Sequence, residues 1–129
     1  MVMLVTPLTD MPTGTSGIVR SRSGEWPAVW AGTNPGVAGV QYDVELELAE
    51  EVSEIHVYDS DAPQAGIYLN DGQLTVCGTV TTIFDDGIVA LDLKPGNLLL
   101  EASNPLPTLH VGQVACISPS EISVFPTDI

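Results

Sequence analysis

Positive charge is scarce in this sequence. Lysine and arginine together number 3 against 17 aspartates and glutamates, so the formal net charge of the 129 residues is −14. Affinity for nucleic acid rests largely on Lys and Arg neutralising phosphates, so this balance argues against nucleic acid and anionic membranes as partners. It favours a basic protein partner, because complementary fields speed encounter. The alternative is that the acidity only keeps the protein soluble.

Long apolar runs and cysteines are also scarce. No run of about 18 apolar residues exists, so no membrane-spanning helix is predicted. The residues before Pro7 carry no basic segment and form only a short apolar stretch, which predicts a cytoplasmic protein rather than a secreted one. The two cysteines, Cys77 and Cys116, are expected as small buried hydrophobic residues. A disulfide between them needs neighbouring strands, and a cytosolic setting argues against it.

Motifs of catalysis and of cofactor binding are missing. The sequence contains no Gly-x-Ser-x-Gly elbow, no Walker motif and no dinucleotide fingerprint. The only histidines, His56 and His110, have no cysteine or histidine at metal-ligand spacing, and a surface or packed role is the ordinary one for them. Carboxylates are so plentiful that no pair stands out for acid–base work. The sequence therefore predicts a protein that is not an enzyme and that binds no metal or cofactor.

Alternation of apolar and polar residues predicts a chain made of β-strands. Residues 74–101 read as strands separated by the turns Asp85-Asp86-Gly87 and Lys94-Pro95-Gly96-Asn97, since Asp-Gly accepts the positive φ of a tight turn. Gly78, inside one of these strands, indicates a bulge or a bend. The three leucines at 98–100 are typical of a strand that is covered on both faces.

The clearest strand covers residues 41–49. Four apolar residues there alternate with three carboxylates, which places the apolar set inward and a ladder of acids outward. Two further glutamates extend the acidic patch. The candidate contacts for Lys or Arg of a partner are therefore Asp43, Glu45, Glu47, Glu50 and Glu51; the alternative is that they form a solvated face.

Residues 1–40 differ in composition from the rest. Pro, Thr, Gly and Ser are frequent and no period is sustained, which predicts a loop-rich N-terminal extension packed on a β-barrel domain of residues 41–129. The only tryptophans, Trp26 and Trp30, lie in this extension. Burial at one end of a small core is the default for such residues. The functional alternative is that they are exposed anchors for a partner.

The run of residues 75–125 resembles OB-fold proteins. The matching segments are 76–80 as a bent strand, 87–93, 111–114 and 117–125, the last of which is similar to the closing hairpin of the transport-associated OB domain. Together with residues 42–47, this pattern is similar to small bacterial OB-like proteins, some of which are immunity proteins encoded beside toxin genes. It departs from nucleic-acid-binding OB folds, because aromatic residues make up only 5% and the basic groove is missing.

The resemblance implies an all-β fold: a small OB-like β-barrel of five to six mainly antiparallel strands, with a β-sandwich as the alternative. Together with the charge, it predicts an acidic, non-enzymatic protein-binding module of the immunity or inhibitor type, which neutralises a basic partner such as a toxin. The alternative function is a structural or accessory oligomeric domain of a larger assembly with no inhibitory role.

Overall fold

A computed structural model of the chain describes residues 3–48, 50–52, 54–102 and 109–127. Within these ranges the chain forms β-strands and no helix, which confirms the predicted all-β fold, and so no helix there could cross a membrane. The strands are β1 (Met3–Pro7), β2 (Ser16–Ser21), β3 (Gly24–Trp30), β4 (Tyr42–Leu48), β5 (His56–Tyr58), β6 (Gly66–Asn70), β7 (Gln73–Ile83), β8 (Ile88–Asp92), β9 (Asn97–Glu101), β10 (Val114–Ile117) and β11 (Ile122–Pro126).

Five of these strands close into a small barrel. Their order is β1–β2–β3–β11–β4, and β4 pairs back to β1. The β3–β11 pair is parallel and the other four pairs are antiparallel. Closure leaves none of the five with an open edge.

The other six strands form a second sheet. Their order is β5–β10–β7–β8–β9, and β6 also pairs with β7. The 11 residues of β7 are enough for it to pair with β6 along its first half and with β8 along its second half. β9 lies at one end of this order, which makes it an edge strand.

The barrel is built largely from residues that the composition assigns to an extension. The prediction of a loop-rich segment over residues 1–40 is wrong, because β1, β2 and β3 are three of the five barrel strands. Pro27 lies within β3, opposite Ile18, and a proline normally argues against a strand interior. Of the described strands within residues 41–129, β4 and β11 belong to the barrel, and most of the run that resembles an OB fold lies in the second sheet.

One hydrophobic core joins the two sheets. Trp26 and Trp30 lie in it, two positions apart on either side of Ala28, so all three point inward from β3. The Trp26 Nε1–H donates to Ser21 Oγ at 2.9 Å, and the Trp30 Nε1–H donates to the Asn34 carbonyl at 2.8 Å. Burial therefore leaves neither indole N–H unpaired, which avoids the cost of an unsatisfied donor.

The two cysteines form a disulfide. Cys77 on β7 and Cys116 on β10 are directly opposite in the antiparallel register, with their Cα atoms 4.1 Å apart. Both cysteines are buried, as expected, and the alternative of a disulfide holds because β7 and β10 are neighbours. The register shift in β7 falls between Val80 and Thr82 and not at Gly78. A Cβ at Gly78 would lie 2.9 Å from the Asp92 carbonyl oxygen, so close backbone approach explains this glycine.

Candidate protein-binding groove

β4 carries the predicted ladder of carboxylates. Val44 is buried, whereas Asp43, Glu45 and Glu47 are exposed, as the period of two requires. Because β4 pairs with β1 on one side and with β11 on the other, its backbone is held on both edges. The three carboxylates therefore project in one row from the outer face of the barrel.

An open groove of about 650 Å³ runs along β4 and β9, which lie side by side; we call it the β4–β9 groove. Buried and half-buried apolar side chains line it, among them Val44, Leu46 and Leu100. It is also lined by the acidic residues Glu45, Glu47, Glu50, Glu51 and Glu101. The structure thus brings four of the five predicted acidic residues together. Asp43 lies further along β4 and does not line the groove; its carbonyl accepts a hydrogen bond from the Thr127 N–H at 2.9 Å.

The few cations of the chain lie away from the β4–β9 groove. Arg20 on β2 donates to Glu25 Oε2 at 2.8 Å, in an exposed ion pair across the β2–β3 hairpin. Arg22 and Lys94 line a different groove, and none of its described lining residues is a carboxylate. No Lys or Arg lines the β4–β9 groove, so its carboxylates have no cationic partner within the described ranges.

The acidic surface continues past the end of β4. Glu50 and Glu51 also line an adjoining hollow of about 340 Å³, together with Glu54 and Glu121. His56 lies exposed in the same hollow, and His110 is exposed elsewhere. In the part of the chain that the structure describes, no three His, Cys, Asp or Glu side chains are grouped as a metal site would require.

The tryptophans do not belong to this surface. Trp26 and Trp30 are both 0% exposed, so the interpretation of them as anchors for a partner is wrong. The apolar side chain that the β4–β9 groove presents to solvent is Leu99, which is 58% exposed. The expectation of a strand covered on both faces fails here, because Leu99 shares its face of β9 with the exposed residues Asn97 and Glu101. That alternation was visible in the sequence and could have identified Leu99.

Comparisons of this chain with protein-family models, with curated proteins and with solved structures give no match. The β4–β9 groove combines an apolar lining, a set of carboxylates without cations and one exposed leucine. Such a lining suits a ligand that has both positive charge and apolar side chains.

Proposed function

We propose that this protein is a non-enzymatic binding module that neutralises a basic protein partner through the β4–β9 groove, as an immunity protein neutralises a toxin. The observation that carries the proposal is the set of carboxylates, Glu45, Glu47, Glu50, Glu51 and Glu101, that line one groove with no Lys or Arg among the lining residues. A partner's Lys or Arg side chains would supply the missing positive charge.

The electrostatics and energetics of protein interfaces support the proposed binding of a basic partner. Clustered carboxylates create a negative potential that speeds encounter with a basic surface and disfavours acidic ones. Each exposed ion pair stabilises a complex by only about 0.2–1 kcal/mol, so the apolar lining and Leu99 have to supply contact area as well.

A charge-matched comparison tests the proposal. The wild-type protein, the groove variant E45Q/E47Q/E50Q and the control variant D61N/D71N/D85N are used in parallel to capture proteins from the source cells. The control removes the same charge from exposed residues that do not line the groove. A basic protein that wild type and control retain and the groove variant loses is expected, and stoichiometric addition of wild type should abolish that protein's activity.

Two outcomes would contradict the proposal. Equal retention of the same proteins by all three baits would show that the groove is not the binding surface. A discrete homo-oligomer in light scattering, with no basic protein retained, would instead favour a structural or accessory domain.

The cellular compartment stays a prediction, and the disulfide weighs against the cytoplasm. Disulfides persist in oxidising compartments and are rare in a reducing cytosol. Cys77 and Cys116 are nevertheless bonded across neighbouring strands. Alkylation of thiols in intact cells, followed by mass spectrometry, decides the point. Alkylated cysteines would support a cytoplasmic protein, and an intact disulfide would indicate an oxidising compartment.

A further inference from the structure

Two turns from different sheets bring Arg22 and Lys94 to one groove. Arg22 lies in the turn between β2 and β3 of the barrel, and Lys94 lies in the turn between β8 and β9 of the second sheet. Both residues are exposed, and both line a groove of about 800 Å³; we call it the Arg22–Lys94 groove. Among the described residues the ion pair is that of Arg20 with Glu25, so neither Arg22 nor Lys94 is neutralised by a carboxylate.

The charge of the Arg22–Lys94 groove is opposite to that of the whole chain. The sequence has 3 cations against 17 acidic residues, so a carboxylate is the commoner neighbour to expect for any cation. Two of the three cations nevertheless line this groove, and none of its described lining residues is a carboxylate. The groove is therefore a local site of positive potential on a negative protein.

Hydrogen bonds hold the walls of the Arg22–Lys94 groove in place. The Ser23 hydroxyl donates to the Ile67 carbonyl and accepts from the Ile67 N–H, both at 3.0 Å, which ties the β2–β3 turn to β6. The Tyr68 hydroxyl donates to the Gln64 carbonyl at 2.6 Å, which ties the segment before β6 to that strand. The groove thus lies at the junction of the two sheets and is formed without a ligand, as small-molecule sites usually are.

The turn that carries Lys94 does not explain the choice of lysine. The Lys94 N–H donates to Asp92 Oδ1 at 3.0 Å, and the Leu93 N–H donates to the Gly96 carbonyl at 2.7 Å, so main-chain donors close the turn. The φ of Lys94 is +48°, in the left-handed region that glycine or asparagine adopts at lower cost. A non-glycine residue held in this region points to a role for its side chain beyond the turn.

We infer that the Arg22–Lys94 groove binds a small organic anion in which a carboxylate or phosphate head is joined to a short apolar body. The Arg22 guanidinium donates two N–H groups to such a head, and the Lys94 ammonium adds a second positive charge. Pro95 and Val114 are half-buried and offer the apolar body a surface. This site is separate from the proposed function, because the carboxylates of the β4–β9 groove do not line it.

The rest of the protein limits the size of the ligand. The volume of the groove lies within the range of about 300–1,000 Å³ that small-molecule sites occupy. A polyanion such as a nucleic acid would extend past the two cations onto a protein of net charge −14, which repels it. A small anion stays beside Arg22 and Lys94 and avoids most of that repulsion.

The test is an NMR titration of the ¹⁵N-labelled full chain at about 0.15 M ionic strength, where charges more than about 8 Å apart are largely screened. The probes are benzoate and phenyl phosphate, and benzamide is the neutral control with nearly the shape of benzoate. The anions are expected to shift the amides of Ser23, Tyr68 and Lys94 saturably, with a Kd of roughly 10 mM or below for the better head group, whereas benzamide is not.

Matched variants locate the charge that matters. Arg22→Gln and Lys94→Gln should each weaken anion binding about three- to tenfold, since each removes one charge-assisted contact that is partly open to water. Arg20→Gln removes the same charge from a residue that does not line the groove, and should change the affinity less than about twofold. The spectra themselves show whether each variant is folded.

Three results would overturn the inference. Equal weakening by Arg20→Gln and Arg22→Gln would show that total charge, and not the groove, determines binding. Equal shifts with benzamide and benzoate would show a site for apolar rings that does not recognise the anion. The absence of a saturable shift with either anion in the wild-type protein would show that the groove binds neither head group.

Discussion

Removal of the Cys77–Cys116 disulfide is expected to cost the protein much of its stability. The two residues are 39 apart in sequence, so the bond closes a long loop in the unfolded chain. Loop-closure entropy for a loop of this length corresponds to about 4 kcal/mol. Total unfolding free energies of single domains are typically about 5–15 kcal/mol, so the loss is large. For a chain of this size it corresponds to a fall in Tm of about 15 °C.

Equilibrium unfolding in guanidinium chloride measures this effect. The variant C77A/C116A is compared with the oxidised wild type and with wild type that has been reduced in denaturant, because both cysteines are buried in the folded protein. The reduced wild type should unfold close to the variant, and both well below the oxidised protein. The reasoning is refuted if all three proteins unfold at the same guanidinium concentration and maleimide labels two thiols in unfolded, unreduced wild type. The cysteines would then be free.

Three further substitutions test other parts of the account by the same unfolding assay. Gly36→Ala should lower the unfolding free energy by about 1–3 kcal/mol, because its Cβ would lie 2.9 Å from the Trp30 ring; an unchanged midpoint would show that the surrounding loop yields freely. E45Q/E47Q should raise stability by a few tenths of a kcal/mol at low salt, since it removes like charges from one face of a strand, and the gain should vanish as salt is added. Arg20→Ala should change stability by less than about 0.5 kcal/mol, because its ion pair is exposed, and a larger loss would mean that the pair is stronger than its exposure implies.

Local patterns predicted the strands with the clearest alternation. The strand β4, with its inward apolar residues and outward carboxylates, lies where the period of two predicts it. The turns at 85–87 and 94–97 likewise separate β7, β8 and β9, because Asp-Gly and Pro-Gly sequences restrict the backbone locally. In both cases the information lies within a few neighbouring residues.

Which strands pair with which was beyond these patterns. β11 lies between β3 and β4 in the barrel, although the chain forms a whole second sheet between β4 and β11. No pattern within residues 1–40 indicates that their strands pair with β11. Pro27 also argued against a strand at the position of β3, because proline is uncommon inside strands. The disulfide and the edge position of β9 follow from the same long-range pairing, so neither the Cys77–Cys116 bond nor the β4–β9 groove could be predicted from spacing.

The central claim is that the carboxylates of the β4–β9 groove, rather than the net charge, determine binding. Calorimetric titration of a short capped peptide in which lysine and valine alternate into wild type, E45Q/E47Q/E50Q and D61N/D71N/D85N tests it most directly. At about 0.5 kcal/mol for each ion pair, the groove variant should bind roughly tenfold more weakly than wild type, while the control variant binds as wild type does. Equal weakening in both variants would contradict the claim, because only the total charge would then matter.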